Sequence, residues 1–145
     1  MVPEQLRARR QGRWWRVVGA LIGEPVTLPD ALARAWPDLA RVRWRVGGLP
    51  LRVGGWCLGR STVTGITLGR TVFLAPGTTW APRLLLHELR HVEQFSGVRA
   101  FALRYVLESL RVGYARNRYE LDADAYAAAR LERDATPPSP PSPGA

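Results

Sequence analysis

The sequence predicts an α+β fold: a small, twisted, mainly antiparallel sheet packed on three helices. Three observations carry this. Between Arg41 and Val46 the apolar residues Val42, Trp44 and Val46 alternate with Arg41, Arg43 and Arg45, the period of a strand with one wet face. Short β-branched runs punctuated by glycine continue to Ala75, which reads as a meander of roughly three to five strands. From Pro82 to about Arg133 the apolar period becomes helical. A chain of 145 residues with 46% apolar content is long enough to bury one core.

In chain order, residues 1–12 form a basic arm, residues 13–134 one domain, and residues 135–145 a Pro/Ser-rich tail that ends in TPPSPPSPGA and is expected to be disordered or extended. Trp14, Trp15, Val17, Val18, Leu21 and Ile22 are expected to cluster as a first helix or turn. Asp30 is placed to cap a helix over about 31–40, with Leu32, Ala35, Trp36 and Leu39 on its buried side and Pro37 set to split it. Leu49 to Val53, Trp56 to Leu58, Ser61 to Leu68 and Thr71 to Ala75 continue the strands, with Gly47-Gly48, Gly54-Gly55 and Gly69 between them. Pro76-Gly77 ends the sheet.

A helix then runs from about Pro82 to Phe95 and stops near Ser96-Gly97. Leu84, His87, Glu88, His91 and Phe95 share one of its sides. Leu85, Leu89 and Val92 share the core side, and Arg83, Arg90 and Glu93 the wet side. A second helix over about 98–116 is apolar over much of its circumference. It is expected to back the first, with a membrane-facing surface as the alternative. A third covers about 117–133.

The charge balance is strongly basic: 21 Lys+Arg against 12 Asp+Glu, a net charge of +9, and every basic residue is Arg. Arg7, Arg9, Arg10, Arg13 and Arg16 face only Glu4, and Arg41, Arg43, Arg45, Arg52 and Arg60 lie in a stretch without an acid. This favours an anionic partner surface, membrane or nucleic acid, through the N-terminal half, against the plain reading of a solvated basic face. No base-reading motif is present. Cys57 is the single cysteine, so neither an intrachain disulfide nor a cysteine-based metal cluster forms, and a small buried apolar role is expected. No apolar run reaches the ~18–20 residues of a membrane span. The run WWRVVGALIG is short, interrupted by Arg16 and followed by no clear cleavage site, so a folded segment and a cytoplasmic location are expected.

The chemistry gathers at His87-Glu88-Leu89-Arg90-His91, an H-E-x-x-H that holds both histidines of the chain. Four residues apart on a helix, both imidazoles can reach one metal ion, and Glu88 sits beside them as a base for a metal-activated water. Glu120 and Asp124 form an E-x-x-x-D on the third helix. Glu120 is the candidate third ligand of a two-His, one-Glu site, and Asp124, one turn on, is placed to accept the outer N–H of a ligand histidine. The plain alternative for Glu120 is an ion pair with Arg116 four residues earlier. Asp122 reads as surface.

HELRHVEQ followed by NRYELDADAYA resembles the gluzincin class of zinc metallopeptidases, closest to its minimal single-domain members, over about residues 60–130. The resemblance implies a zincin-like fold with His87, His91 and Glu120 as Zn2+ ligands, Glu88 as catalytic base and Asp124 behind a ligand histidine. It also implies that the strand around Ile66, Leu68, Val72 and Leu74 rims the cleft and pairs with a peptide or protein substrate. Such families often supply a tyrosine or histidine for the oxyanion. With no third histidine, Tyr114 is the candidate here and Tyr119 the reserve. The expected function is zinc-dependent peptide-bond hydrolysis. A non-catalytic zinc domain acting through partner binding, or an arginine-rich nucleic-acid binder, are the alternatives.

Overall fold

The structure, a computed structural model, describes residues 19, 21–57 and 63–135. The expected basic arm, the Trp14 to Val18 part of the first cluster, the tail from Thr136 and the Cys57 side chain lie outside the described residues. The elements in order are β1 (Glu24–Pro25), α1 (Asp30–Ala35), a 3₁₀ turn (Pro37–Arg41), β2 (Arg43–Val46), α2 (Leu49–Cys57), β3 (Gly65–Leu68), β4 (Thr71–Leu74), α3 (Pro82–Gly97), α4 (Phe101–Val112), a second 3₁₀ turn (Tyr114–Arg116) and α5 (Arg118–Ala135). The fold is α+β.

The four strands form one sheet in the order β1-β2-β4-β3. β1 pairs with β2, and β3 with β4, antiparallel, but β2 and β4 run parallel. The centre of the sheet is therefore mixed rather than a meander. A parallel pair needs a long crossover, and residues 49–57, expected as strands, supply part of it as α2. Gly54 lets α2 close on the sheet, since a Cβ there would collide with Cδ1 of Ile66.

Register sorts the two faces. Trp44, Val72 and Thr67 form one row across β2, β4 and β3, and Val46, Leu74 and Gly65 the next. This face receives α3. Leu85, Leu86, Leu89 and Val92 pack on Trp44, Val72 and Leu74 in one buried cluster, joined by Leu28, Leu39, Val42 and Ala127. The opposite rows carry Arg43, Thr71 and Leu68, then Arg45, Phe73 and Ile66, so the alternation of Arg with Val and Trp reflects one covered and one partly open face.

Local chemistry sets the helix ends. Pro37 splits the 31–40 segment as expected, ending α1 and starting a 3₁₀ turn. Asp30 does not cap α1. Pro29 holds the cap position and Asp30 is the first helical residue, where its carboxylate complements the helix dipole. α4 is shorter than the expected 98–116. Ala100, at φ 54, precedes it, and Gly113, at φ 80, stops it. Asn117, fully buried, starts α5: its Oδ1 accepts the Tyr119 N–H at 2.9 Å, and its amide donates to the Tyr105 carbonyl at 3.1 Å and Ser109 Oγ at 2.8 Å. One side chain thus caps α5 and fixes it to α4. The small residues Ala123 and Ala127, both 0% exposed, face inward on α5, which lies along α3. Among the described residues no helix is long and apolar enough to cross a membrane.

At the β1–β2 edge, Gly23 and Gly48 meet backbone to backbone. A Cβ on Gly48 (φ +101) would lie 2.6 Å from the Gly23 nitrogen, whereas Gly47 (φ +74) has nothing within 4 Å. Gly48→Ala is expected to cost roughly 2–4 kcal/mol of stability, strain plus collision, and Gly47→Ala only about 1–2 kcal/mol of left-handed strain. Thermal or urea unfolding of the two variants side by side checks the difference. Equal losses would contradict the close approach.

Candidate metal centre and its cleft

α3 brings His87, Glu88 and His91 to one side, and the first turn of α5 brings Glu120 to meet them. His87 Nε2 and His91 Nε2 are 3.1 Å apart. Glu120 Oε1 lies 3.0 Å from His91 Nε2 and Oε2 lies 3.4 Å from His87 Nε2. Donors placed ~2.0–2.1 Å from a tetrahedral ion are about 3.3 Å from one another. The three side chains therefore have the spacing of one triangular face of such a site, and they can hold a metal ion.

The outer nitrogens strengthen this. His87 Nδ1 faces Asp124 Oδ1 at 3.1 Å, and His91 Nδ1 faces Gln94 Oε1 at 2.8 Å. Each acceptor can take a proton from Nδ1, which turns both Nε2 atoms toward the Glu120 carboxylate. Burial alone would lower the His87 pKa, but the carboxylates of Glu120, Glu88 and Asp124 outweigh it and raise it. Burial likewise works against ionisation of Glu120, yet the hydrogen bonds from His87 and His91, with that from Tyr105, hold its carboxyl far below the ordinary range. The N-terminal turn of α5 adds a favourable dipole.

Glu88 is buried beside the pair. Thr67 Oγ1 on β3 donates to Glu88 Oε2 at 2.6 Å. Two residues earlier on the same strand face, a Cβ at Gly65 would lie 2.6 Å from Glu88 Oε1. The G-I-T run of β3 thus supplies a hydroxyl at one oxygen and room at the other.

Sequence reasoning missed four participants, Thr67 among them. Tyr105, on α4, donates to Glu120 Oε1 at 2.6 Å; burial and the neighbouring Glu120 charge raise its pKa, so it stays a donor. Nothing local in sequence marks Tyr105, because its role depends on how α4 docks. Gln94 is buried. Its amide nitrogen donates to the Tyr119 carbonyl at 3.1 Å and to Asp122 Oδ2 at 2.7 Å, which turns its oxygen toward His91. Its place three residues after His91 was the available signal. Asp122 is not plain surface: Arg90 Nε also donates to it at 2.7 Å, and these bonds hold its carboxyl below the ordinary range.

A cleft of about 810 Å³ opens over these groups. Leu84, His87, Glu88, His91 and Phe95 all line it, the side of α3 expected from spacing. Ile66, Leu68 and Tyr114 line it too. Val72 and Leu74 do not rim it. β4 is flanked by β2 and β3, and these side chains are 0% and 1% exposed in the core; among the described strands, β3 is the edge strand that lines the cleft. The reserve tyrosine Tyr119 is a buried aromatic against Phe101 and Tyr105, its hydroxyl accepting from Arg118. Arg116 donates to the Val112 carbonyl, and Glu120 turns to the histidines instead. No protein-family model, curated protein or solved structure matches the chain.

Gln94→Leu removes the acceptor behind His91 and is expected to weaken Zn(II) affinity by ~10–100-fold, measured by competition with a chromogenic chelator. An unchanged affinity would contradict the clamp. Affinity should also depend on pH with a definite sign. Metal must displace the His87 proton, so affinity stays level above the raised His87 pKa and falls about tenfold per unit below it. The fall is expected to begin above pH 6.5, the ordinary histidine value, in titrations across pH 5 to 8.

Proposed function

We propose that the chain is a zinc-dependent endopeptidase of the gluzincin type, built on a zincin-like fold. The observation that carries the reading is the convergence of His87, His91 and Glu120 with a buried Glu88 at the floor of an open cleft. Two imidazoles and one carboxylate suit zinc and leave a fourth position open. Bound zinc supplies a Lewis acid that acidifies water and polarises a carbonyl.

The chain's own residues do the rest. Glu88 takes a proton from the attacking water and passes it to the leaving amine. Thr67 occupies one oxygen of Glu88 and leaves the other for that proton. Asp124 and Gln94 set the ring orientations, and Tyr105 keeps Glu120 ionised and aligned. Tyr114, in the cleft wall, is the proposed donor to the developing oxyanion. The outer edge of β3, with Ile66 and Leu68, is the proposed pairing strand for an extended substrate peptide.

Glu88→Gln is expected to lower hydrolysis of an unfolded polypeptide by at least ~100-fold while Zn(II) affinity changes little. An intact rate would refute Glu88 as base. Wild-type chain that binds Zn(II) tightly and cleaves no unfolded polypeptide would favour a non-catalytic zinc domain.

A further inference from the structure

α4 is two-faced in an unusual sense. Its inner side is narrow and aromatic. Phe101 is its single buried residue, and Phe101 and Tyr105 pack against His91, Phe95 and Tyr119. Its outer side carries Leu103, Val106, Leu107 and Leu110, exposed by 61%, 37%, 55% and 73%. At ~100° per residue these four fall within roughly 100° of arc. Scattered exposed leucines are ordinary, but a contiguous stripe marks an interaction surface.

Charge and area narrow the partner. Arg104 and Arg111 fall on the same flank of the stripe, roughly 80–100° from Leu103, and both are exposed. Arg99 is exposed just before the helix. The one acid of α4, Glu108, is ion-paired with Arg111 at 3.1 Å. An aliphatic stripe with an arginine border is the pattern of a helix lying in a lipid interface, its guanidiniums reaching the headgroups. A second copy fits less well. Four aliphatic side chains offer on the order of 400 Å², half of the ~800 Å² per partner of a stable interface, and the stripe lacks the aromatic anchors that dominate such contacts. Val106 also lines the cleft, as do the exposed Leu68 and Val53, so the stripe is continuous with the cleft mouth.

We propose that the outer face of α4 docks the chain onto an anionic lipid surface, with the cleft opening at that surface. The docking does not depend on hydrolysis, and vesicle binding reads it alone.

The test is co-sedimentation of the full chain with phosphatidylcholine vesicles, with and without roughly one-third phosphatidylglycerol. Binding is expected to the anionic vesicles and to weaken with salt. Leu103→Ser/Leu107→Ser/Leu110→Ser should reduce it by roughly tenfold or more. Undiminished binding by that variant overturns the proposal, since the basic N-terminal half alone would then account for it. No wild-type binding overturns it, as does a wild-type dimer that the triple variant dissolves. If the triple variant unfolds early in a thermal melt, Arg104→Gln/Arg111→Gln reads the same face. Several-fold weaker binding supports the docking and unchanged binding overturns it.

Discussion

The constraint on which the rest depends is the meeting of three possible metal donors: His87 Nε2, His91 Nε2 and the Glu120 carboxylate, each pair 3.0–3.4 Å apart. Each is mostly withdrawn from water, so each needs a partner in place of it. A fold that holds two imidazoles and a carboxylate there bears the cost of burying them. The surrounding structure answers this cost: acceptors behind each ring, a tyrosine donor on the carboxylate, and a helix N-terminus beneath it.

Much of the architecture serves that meeting. Ala123 and Ala127 let α5 approach α3 closely, and Arg90, Asp122 and Gln94 stitch the two helices on the far side of His91. Asn117 sets where α5 begins. It stands three residues before Glu120, the spacing of a capping box, yet the Glu120 side chain turns to the histidines rather than back to the cap. The carboxylate that could close a local helix-stabilising bond is taken up by a tertiary contact instead.

Glu88 is held in the same economical way. Strand β3 is at the sheet edge, so its inward Gly65 and Thr67 reach Glu88 while its edge faces the cleft. α4 links the remaining parts. Its aromatic side shelters His91 and supplies Tyr105, and its aliphatic side extends the cleft mouth outward.

The sequence by itself determined what local periodicity can encode. The His87-Glu88-His91 face of α3, its core side, the one-faced β2 and the E-x-x-x-D of Glu120 and Asp124 all follow from side-chain direction along a helix or strand. Asp124 meets His87 as that spacing implied. Tertiary structure alone decided the rest. The parallel β2–β4 pairing made residues 49–57 a crossover helix despite their strand-like alternation, and moved Val72 and Leu74 from the rim to the core. Tyr105 and Thr67 joined the site because separate elements carry them to Glu120 and Glu88 across 15 and 21 residues of chain. The physical reason is the same throughout. Periodicity says which way a side chain leaves its own backbone, and only the packing of distant elements says what it meets.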